Sequence, residues 1–389
     1  MEKPAARGVG AAGSPDCSPQ TVRRRRGSHR PVRGSLETVC EPDNGPSGPS
    51  LQRGWIASCD TSHAVLTLPG YGGRAVVKSL LLASPRGYCA GVERAVETVE
   101  RALALNGAPV YVRKQIVHNS HVVGDLRDRG AVFVDSLADV PEGATVVFSA
   151  HGIAPAVRRE AQELRLTTID ATCPLVTKVH AQARRYAEAG YALVLIGHAG
   201  HEEVEGTLGE APEAIVLVES TQDAERVPLP DDRRLAYVTQ TTLSVDETNE
   251  IVSVLRRRYP QIEGPRREDI CYATSNRQWA VKELLAAVDL LLVVGSPNSS
   301  NSQRLVDVAR AEGTPAHLVD DVRGIDEGWL EGCETVGLTS GASAPERLVA
   351  DVCEWFRARG AEVSEQAPVH EDVSFKLPVE LRRAERAAA

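Results

Sequence analysis

Three cysteines, Cys89, Cys173 and Cys271, stand far apart in the chain, each closing an apolar or strand-like stretch and opening a polar, helix-starting one. The stretches read SLLLASPRGYCAGVERAVETVE, LTTIDATCPLVTKVHAQARRYA and EDICYATSNRQWAVKELLAAV, and none of these cysteines has a CxxC partner. At a helix N-terminus the backbone N–H groups and the macrodipole favour the thiolate, the form that binds iron or zinc or attacks an electrophile. The recurring junction suggests a threefold arrangement in which three thiolates, one from each of three lobes, form a metal or cluster site with one position left open.

The loops that follow apolar runs are rich in neutral hydrogen-bonding groups and histidine: HNSH (118–121), SAHG (149–152), GHAGHEEVEG (197–206), TQTT (239–242), GSPNSSNS (295–302) and SGAS (340–343). A single helix needs one capping residue, whereas GSPNSSNS offers several and SGAS adds more from a separate run, so Ser299, Ser300, Asn301 and Ser343 read as phosphate ligands. Each hydrogen bond to a charged group is worth about 1.5–3 kcal/mol, so a handful can hold a diphosphate without an arginine cage. His118, His151 and His201 recur in such loops and could supply cationic donors to that anion. His121, His180 and His198 are weaker candidates, because His180 lies inside a helical pattern and His198 lacks the following acid. Glu203 is the best proton donor, since burial near apolar groups would raise its pKa toward working pH. Thr241 could relay that proton or hold a substrate hydroxyl.

The elements that must position these loops follow an α/β pattern from Val76 onward. Apolar runs such as VVKSLLLAS, PVYVRKQIV, ATVVFSA, YALVLIG, AIVLVES, LAYVTQ, DLLLVVGS, PAHLVD and TVGLTS read as strands. Helices are predicted over Val92–Leu105, Ala156–Leu164, Val176–Ala189, Val245–Tyr259, Asn276–Val288 and Gln303–Glu312. Strands of this kind sit in parallel sheets with helices on both faces, and ligands collect at their carboxyl ends. Neither GxxxxGK[ST] nor GxGxxG follows any strand, so ATP hydrolysis and nicotinamide binding lose their usual support.

With 389 residues and 42% hydrophobic content, the chain exceeds what one core usually serves. Aromatics make up only 4%, so the interior is built from Val, Leu, Ile and Ala. The formal net charge of -9 argues against nucleic-acid binding, although it leaves room for a local phosphate pocket. Eight cysteines are too sparse for a disulfide scaffold, and neither a signal-peptide core nor an apolar run long enough to span a bilayer is visible. A reduced, cytoplasmic location with no membrane partner is expected. Cys333 and Cys353 read as buried and inert. Residues 1–76, rich in Gly, Pro, Ser and Arg, read as a disordered extension, and its Cys17, Cys40 and Cys59 receive no ligand role. The acids from Glu37 and the lack of an amphipathic pattern argue against a transit peptide there.

From Val77 to Arg383 the chain resembles the LytB family of 4-hydroxy-3-methylbut-2-enyl diphosphate reductases. The resemblance is carried by PRGYCAGVERAV, IVHN, FSAHG, DATCPLVTKVH, IGHAGHEEVEGT, TQTTLSVDET, DICYATSNRQ, GSPNSSNSQRL, GASAPE and VSFKLPVELR. It implies three small αβα lobes in a pseudo-threefold trefoil around a central cavity. These are a first lobe over 91–173, a second over 174–267, a third over 77–90 plus 268–358, and a C-terminal tail over 359–389. It further implies one 4Fe-4S cluster held by Cys89, Cys173 and Cys271, with one iron free of protein ligands for the substrate's allylic hydroxyl. His118, His151, Ser299, Ser300, Asn301 and Ser343 would take the diphosphate, with His201 and Thr241 also at the substrate, and Glu203, His201 and Thr241 would deliver protons. The implied reaction is a two-electron reductive dehydration to isopentenyl and dimethylallyl diphosphates, fed by a ferredoxin- or flavodoxin-type donor. A cluster-bearing redox sensor and a three-thiolate zinc hydrolase are the competing readings of the same thiols.

Overall fold

A computed structural model describes residues 77–366, 369 and 371–388. The disordered extension expected over 1–76 lies outside the described residues. Strand β1 (Ser79–Ala83) runs to Cys89, which caps helix α1 (Ala90–Asn106). Then follow β2 (Val110–Arg113), α2 (Ser120–Asp128), β3 (Ala131–Val134), β4 (Thr145–Phe148), α3 (Pro155–Glu163) and β5 (Thr167–Asp170). Cys173 caps α4 (Pro174–Glu188), which leads to β6 (Ala192–Ile196), α5 (Glu202–Leu208), β7 (Ile215–Val218), α6 (Thr221–Arg226), β8 (Leu235–Thr239) and α7 (Val245–Arg258). Cys271 caps α8 (Tyr272–Leu285), followed by β9 (Leu290–Val294), α9 (Ser300–Ala311), β10 (Ala316–Val319), β11 (Thr335–Ser340), α10 (Glu346–Arg357), β12 (Glu362–Gln366) and α11 (Val379–Ala388).

The strands form three parallel sheets, ordered β3-β2-β4-β5, β7-β6-β8 and β10-β9-β11-β1-β12. Each sheet is buried on both faces, as continuous apolar runs require. In the third, Leu290, Leu292 and Val294 pack with Val349, Val352 and Phe356 of α10. The alternate residues Leu291 and Val293 meet Val281 and Leu284 of α8 and Leu305 of α9. The second sheet repeats this layering, with Val194 and Ile196 toward α7, and Leu193 and Leu195 toward α4. In the first, Val110, Val112 and Val147 take Ala95, Val99 and Ala102 of α1, and Val146 and Phe148 take Ala161 of α3. Cys333 and Cys353 are buried in the third core, as expected of inert thiols.

Three strands lie outside the apolar runs. In β3 and β5 part of each strand is half-buried or exposed, and β12, EVSEQ, has no buried residue at all. All three are edge strands, whose outer faces need no apolar residues. The expected tail over 359–389 thus begins with an edge strand paired to β1. The helices after the cysteines start at Ala90, Pro174 and Tyr272, earlier than the apolar periodicity at Val92, Val176 and Asn276 indicates. Their first turns face the cavity described below rather than a core. Among the described residues no helix is long and apolar enough to cross a membrane.

One arginine ties two cysteine junctions together. Arg277 of α8 is 0% exposed, and its guanidinium donates to Ala273 O (3.0 Å), Gly87 O (2.8 Å) and Glu371 (3.1 Å). It therefore holds the loop before Cys89 against the helix after Cys271, with a counter-ion from the C-terminal segment. That segment continues past Lys376, whose carbonyl accepts from Arg94 (2.8 Å), to Leu381, buried in the first core. Replacing Arg277 by Met leaves the carboxylate and the carbonyls unpaired. Chemical denaturation is expected to show a loss of about 3 kcal/mol, as for breaking a buried ion pair; an unchanged midpoint would remove this tie from the account.

Candidate active site and metal centre

Each cysteine is fastened by the same device, a backbone N–H donated to a strand-end loop. Cys89 N bonds Ala342 O (3.3 Å) beyond β11, Cys173 N bonds Ala150 O (2.9 Å) beyond β4, and Cys271 N bonds Thr241 O (3.1 Å) beyond β8. The loops predicted to bind substrate and the cysteines predicted to bind metal are thus joined residue to residue. Ala90 N also donates to Tyr272 Oη (3.2 Å), linking the first turns of α1 and α8.

All three cysteines line one cavity of about 90 Å³, room for several waters rather than one. Its wall also includes His118, His151, His201, Glu203, Thr241, Ser299, Ser300, Asn301 and Ser343, so every site residue singled out from the sequence is brought together. Gly91 shows how tightly the sulfurs are placed. A Cβ there would sit 2.7 Å from Cys173 Sγ and 3.7 Å from Cys89 Sγ, a space only glycine leaves open.

Burial pushes the Cys173 thiol up to about 12 and the Cys271 thiol up to about 11, and the neighbouring Cys89 adds to both shifts. The helix-end field, worth about 1 kcal/mol, does not offset this desolvation, so the protein by itself does not hold these groups as thiolates. A bound metal would reverse that balance by supplying the positive charge. The donor set is three sulfurs at one wall, with the other described cysteines buried in the third core. Those sulfurs and the glycine gap beside them fit an iron–sulfur cluster with one corner free of protein.

The same cavity is lined by three histidines. The rings of His118 and His151 stack at 3.9 Å between centroids and 13° between planes, with His201 edge-on at 5.3 and 5.8 Å. Burial drives His118 down to about 3, His151 to about 4 and His201 to about 3, and the nearby His151 ring lowers His118 and His201 further. Burial thus disfavours the cationic rings in the protein alone, and the cationic donors expected from the sequence depend on an anion lying beside them. His201 Nδ1 accepts from Glu203 N (3.1 Å), which leaves Nε2 to carry the ring proton. Ligand atoms of His118, His151 and Glu202 lie within 4.8 Å of one another. Imidazole lone pairs lie in the ring plane, however, so two near-parallel rings suit two oxygens side by side better than one metal ion.

The third lobe closes the cradle. Ser299 caps α9, Ser300 Oγ meets Thr242 Oγ1 (3.0 Å), Asn301 Oδ1 accepts from Ala342 N (2.8 Å) and Ser343 Oγ donates to His118 O (2.9 Å). These bonds aim an N-terminal helix turn at the cavity and tie it to the other two lobes. Glu203, 2% exposed, receives Thr241 N at Oε1 (2.7 Å) and Thr241 Oγ1 at Oε2 (3.0 Å). Burial lifts its carboxyl to about 7, against the two hydrogen bonds that favour the ionised form. It is poised to hold or release a proton near neutrality.

The weaker histidines lie elsewhere. His180 is buried in α4 with Nδ1 3.1 Å from Glu210, and His121 pairs with Asp321 (3.1 Å). Gly91, Thr242, Thr274 and Glu202 were not singled out from the sequence. Thr242 and Glu202 sit inside quoted loops beside chosen residues, whereas the closeness of Gly91 to two sulfurs leaves no sequence signal.

Removing the Thr241 hydroxyl takes away one bond that favours the Glu203 carboxylate. In the cluster-free protein, infrared difference spectra are expected to place the Glu203 carboxyl near pH 7 and to move it higher in Thr241→Val; a titration below about pH 5, the range of an ordinary carboxyl, would contradict the burial argument.

The family model described as LytB protein matches residues 80–357. The protein named 4-hydroxy-3-methylbut-2-enyl diphosphate reductase in Acidothermus cellulolyticus is 60% identical over 308 residues, covering 79% of this chain and 91% of that one. Its namesake in Nocardia farcinica is 58% identical over 311 residues, covering 79% and 93%. The solved E-1-hydroxy-2-methyl-but-2-enyl-4-diphosphate reductase from Plasmodium falciparum matches with a TM-score of 0.78 at 40% identity, over 80% of this chain and 99% of that one. The chain belongs to the LytB family.

Proposed function

We infer that this chain catalyses the reaction its relatives are named for, the reduction of 4-hydroxy-3-methylbut-2-enyl diphosphate at the end of the non-mevalonate isoprenoid pathway. Two electrons and two protons enter, the allylic hydroxyl leaves as water, and isopentenyl or dimethylallyl diphosphate remains. The observation that carries this reading is one cavity lined at once by three cysteines, a histidine and Ser/Asn cradle, and a buried glutamic acid.

In this reading Cys89, Cys173 and Cys271 hold a 4Fe-4S cluster, which when bound supplies single-electron transfer and a Lewis-acidic iron. Ser299, Ser300, Asn301 and Ser343 offer hydroxyls, an amide and a helix N-terminus to the diphosphate, and His118 and His151 line the same cavity. That grip fixes the far end of the substrate and so orients the allylic end. Protonated Glu203 donates to Thr241 Oγ1, whose own proton then becomes available to the cavity, and His201 Nε2–H is a second donor. Burial of these groups keeps bulk water from competing for the protons. Reduced thiols suit a cytoplasmic setting, and a ferredoxin- or flavodoxin-type protein is the proposed electron donor.

Protein purified without oxygen is expected to contain iron and sulfide in comparable amounts and to reduce the substrate with a low-potential donor; a colourless, zinc-loaded, inactive protein would sink the reading. Cys89→Ser, Cys173→Ser and Cys271→Ser should each remove the cluster, and Gly91→Ala should lower its content by displacing Cys173 Sγ. Glu203→Gln should keep the cluster spectrum while turnover falls by about 10²–10⁴. Because Glu203 must be protonated to donate, wild-type turnover should hold below about pH 7 and decline as pH rises through it; a flat profile in this range would remove Glu203 from the proton path.

A further inference from the structure

A diphosphate carries several negative charges, yet among the described residues neither Lys nor Arg lines the cavity. Lys114, in the adjoining pocket, already pairs with Asp135 at 3.4 Å. The cavity-lining groups that can take on positive charge are the imidazoles of His118, His151 and His201, which burial disfavours as cations in the protein alone. Something has to decide which ring takes the proton.

Glu202, the first residue of α5, has the position to do so. Its Oε2 lies 3.2 Å from His151 Nδ1 and accepts from Ser149 Oγ at 3.2 Å. Among the described residues it is the one carboxylate bonded to any ring of this trio. His118 Nδ1 faces the Asn298 amide (3.4 Å), and His201 Nδ1 is occupied by a backbone N–H. With Nδ1–H of His151 donated to the carboxylate, Nε2 is the open nitrogen. A proton arriving there from solvent makes an imidazolium held between Glu202 on one side and an anion on the other. The parallel His118 ring, 3.9 Å away, is then disfavoured as a second site of charge.

We propose that Glu202 is a positioning residue of the diphosphate subsite: it orients His151 and makes that ring the one that takes up a proton from solvent as the anion binds. The groups facing Glu202 are His118 and Lys114 from the loop after β2, Ser149 and His151 from the loop after β4, and His201 from its own loop; burial raises its carboxyl, and His118, the Ser149 hydroxyl, His201 and Lys114 act against that rise. This inference rests on the diphosphate reading above and adds to it a role for a residue outside the cluster, the proton path and the Ser/Asn cradle.

The test is calorimetric binding of inorganic diphosphate to cluster-loaded wild type, Glu202→Gln and Glu202→Asp, in buffers of different ionisation enthalpy. Wild type is expected to take up about one proton per diphosphate near pH 8, where free histidine is neutral. Glu202→Gln should bind about tenfold more weakly there, as expected on losing a charge-assisted bond, with less proton uptake and a deficit that shrinks toward about pH 6. Glu202→Asp should recover part of both. Wild-type binding without proton uptake, or a Glu202→Gln protein with wild-type affinity and uptake, would overturn the inference. If wild type itself fails to bind diphosphate, the cradle assignment fails instead. Should Glu202→Gln lose its cluster spectrum, wild-type proton uptake and the Asp variant decide.

Discussion

Three cysteines distant in sequence line one cavity, and much of the rest of the molecule serves to bring them there. The difficulty is electrostatic. Buried thiols resist ionisation, as the upward shifts of Cys173 and Cys271 show, and adjacent thiolates repel. The chain answers with geometry rather than with counter-charge. Each cysteine is the N-cap residue of a helix and has its N–H anchored to a neighbouring strand-end loop, so backbone bonds fix where each sulfur starts from. Arg277 and Glu371 lock two of the junctions together from behind.

The other half of the cavity follows the same economy. A cluster of arginines would carry a fixed positive charge whether or not an anion is bound. Here hydroxyls, an amide, a helix N-terminus and neutral imidazoles form the wall instead. Charge appears only when the anion supplies a reason for it. The consequence is a site whose protonation state is coupled to occupancy, with Glu203 separately poised near neutrality by burial and by its two bonds to Thr241.

Parallel sheets make this convergence possible. Every strand of a parallel sheet sends its carboxyl end to the same edge, so loops distant in sequence become neighbours. In this protein the edges of three such sheets face one another, and the loops after β2, β4, β8 and β11 together with the N-terminus of α9 share one cavity.

The α/β pattern, the main apolar strands, the three cysteine junctions and the cavity-lining residues from His118 to Ser343 were legible in the sequence, because each has a local signature: an apolar run, a helix start or a polar strand end. Edge strands were not, since β12 buries no side chain and carries no apolar pattern. Nor was the protonation of the site. Helix-start position alone suggests thiolates, yet burial raises the Cys173 and Cys271 thiols because desolvation exceeds the helix-end field, and burial likewise lowers the three histidines in the protein alone. The closeness of Gly91 to two sulfurs, the clamp of Arg277 and the contact of Glu202 with His151 likewise join residues from different segments. Residue type and order determined which chemistry is available; burial and the approach of distant segments, which exist only after folding, decided in what charge state and geometry it is held.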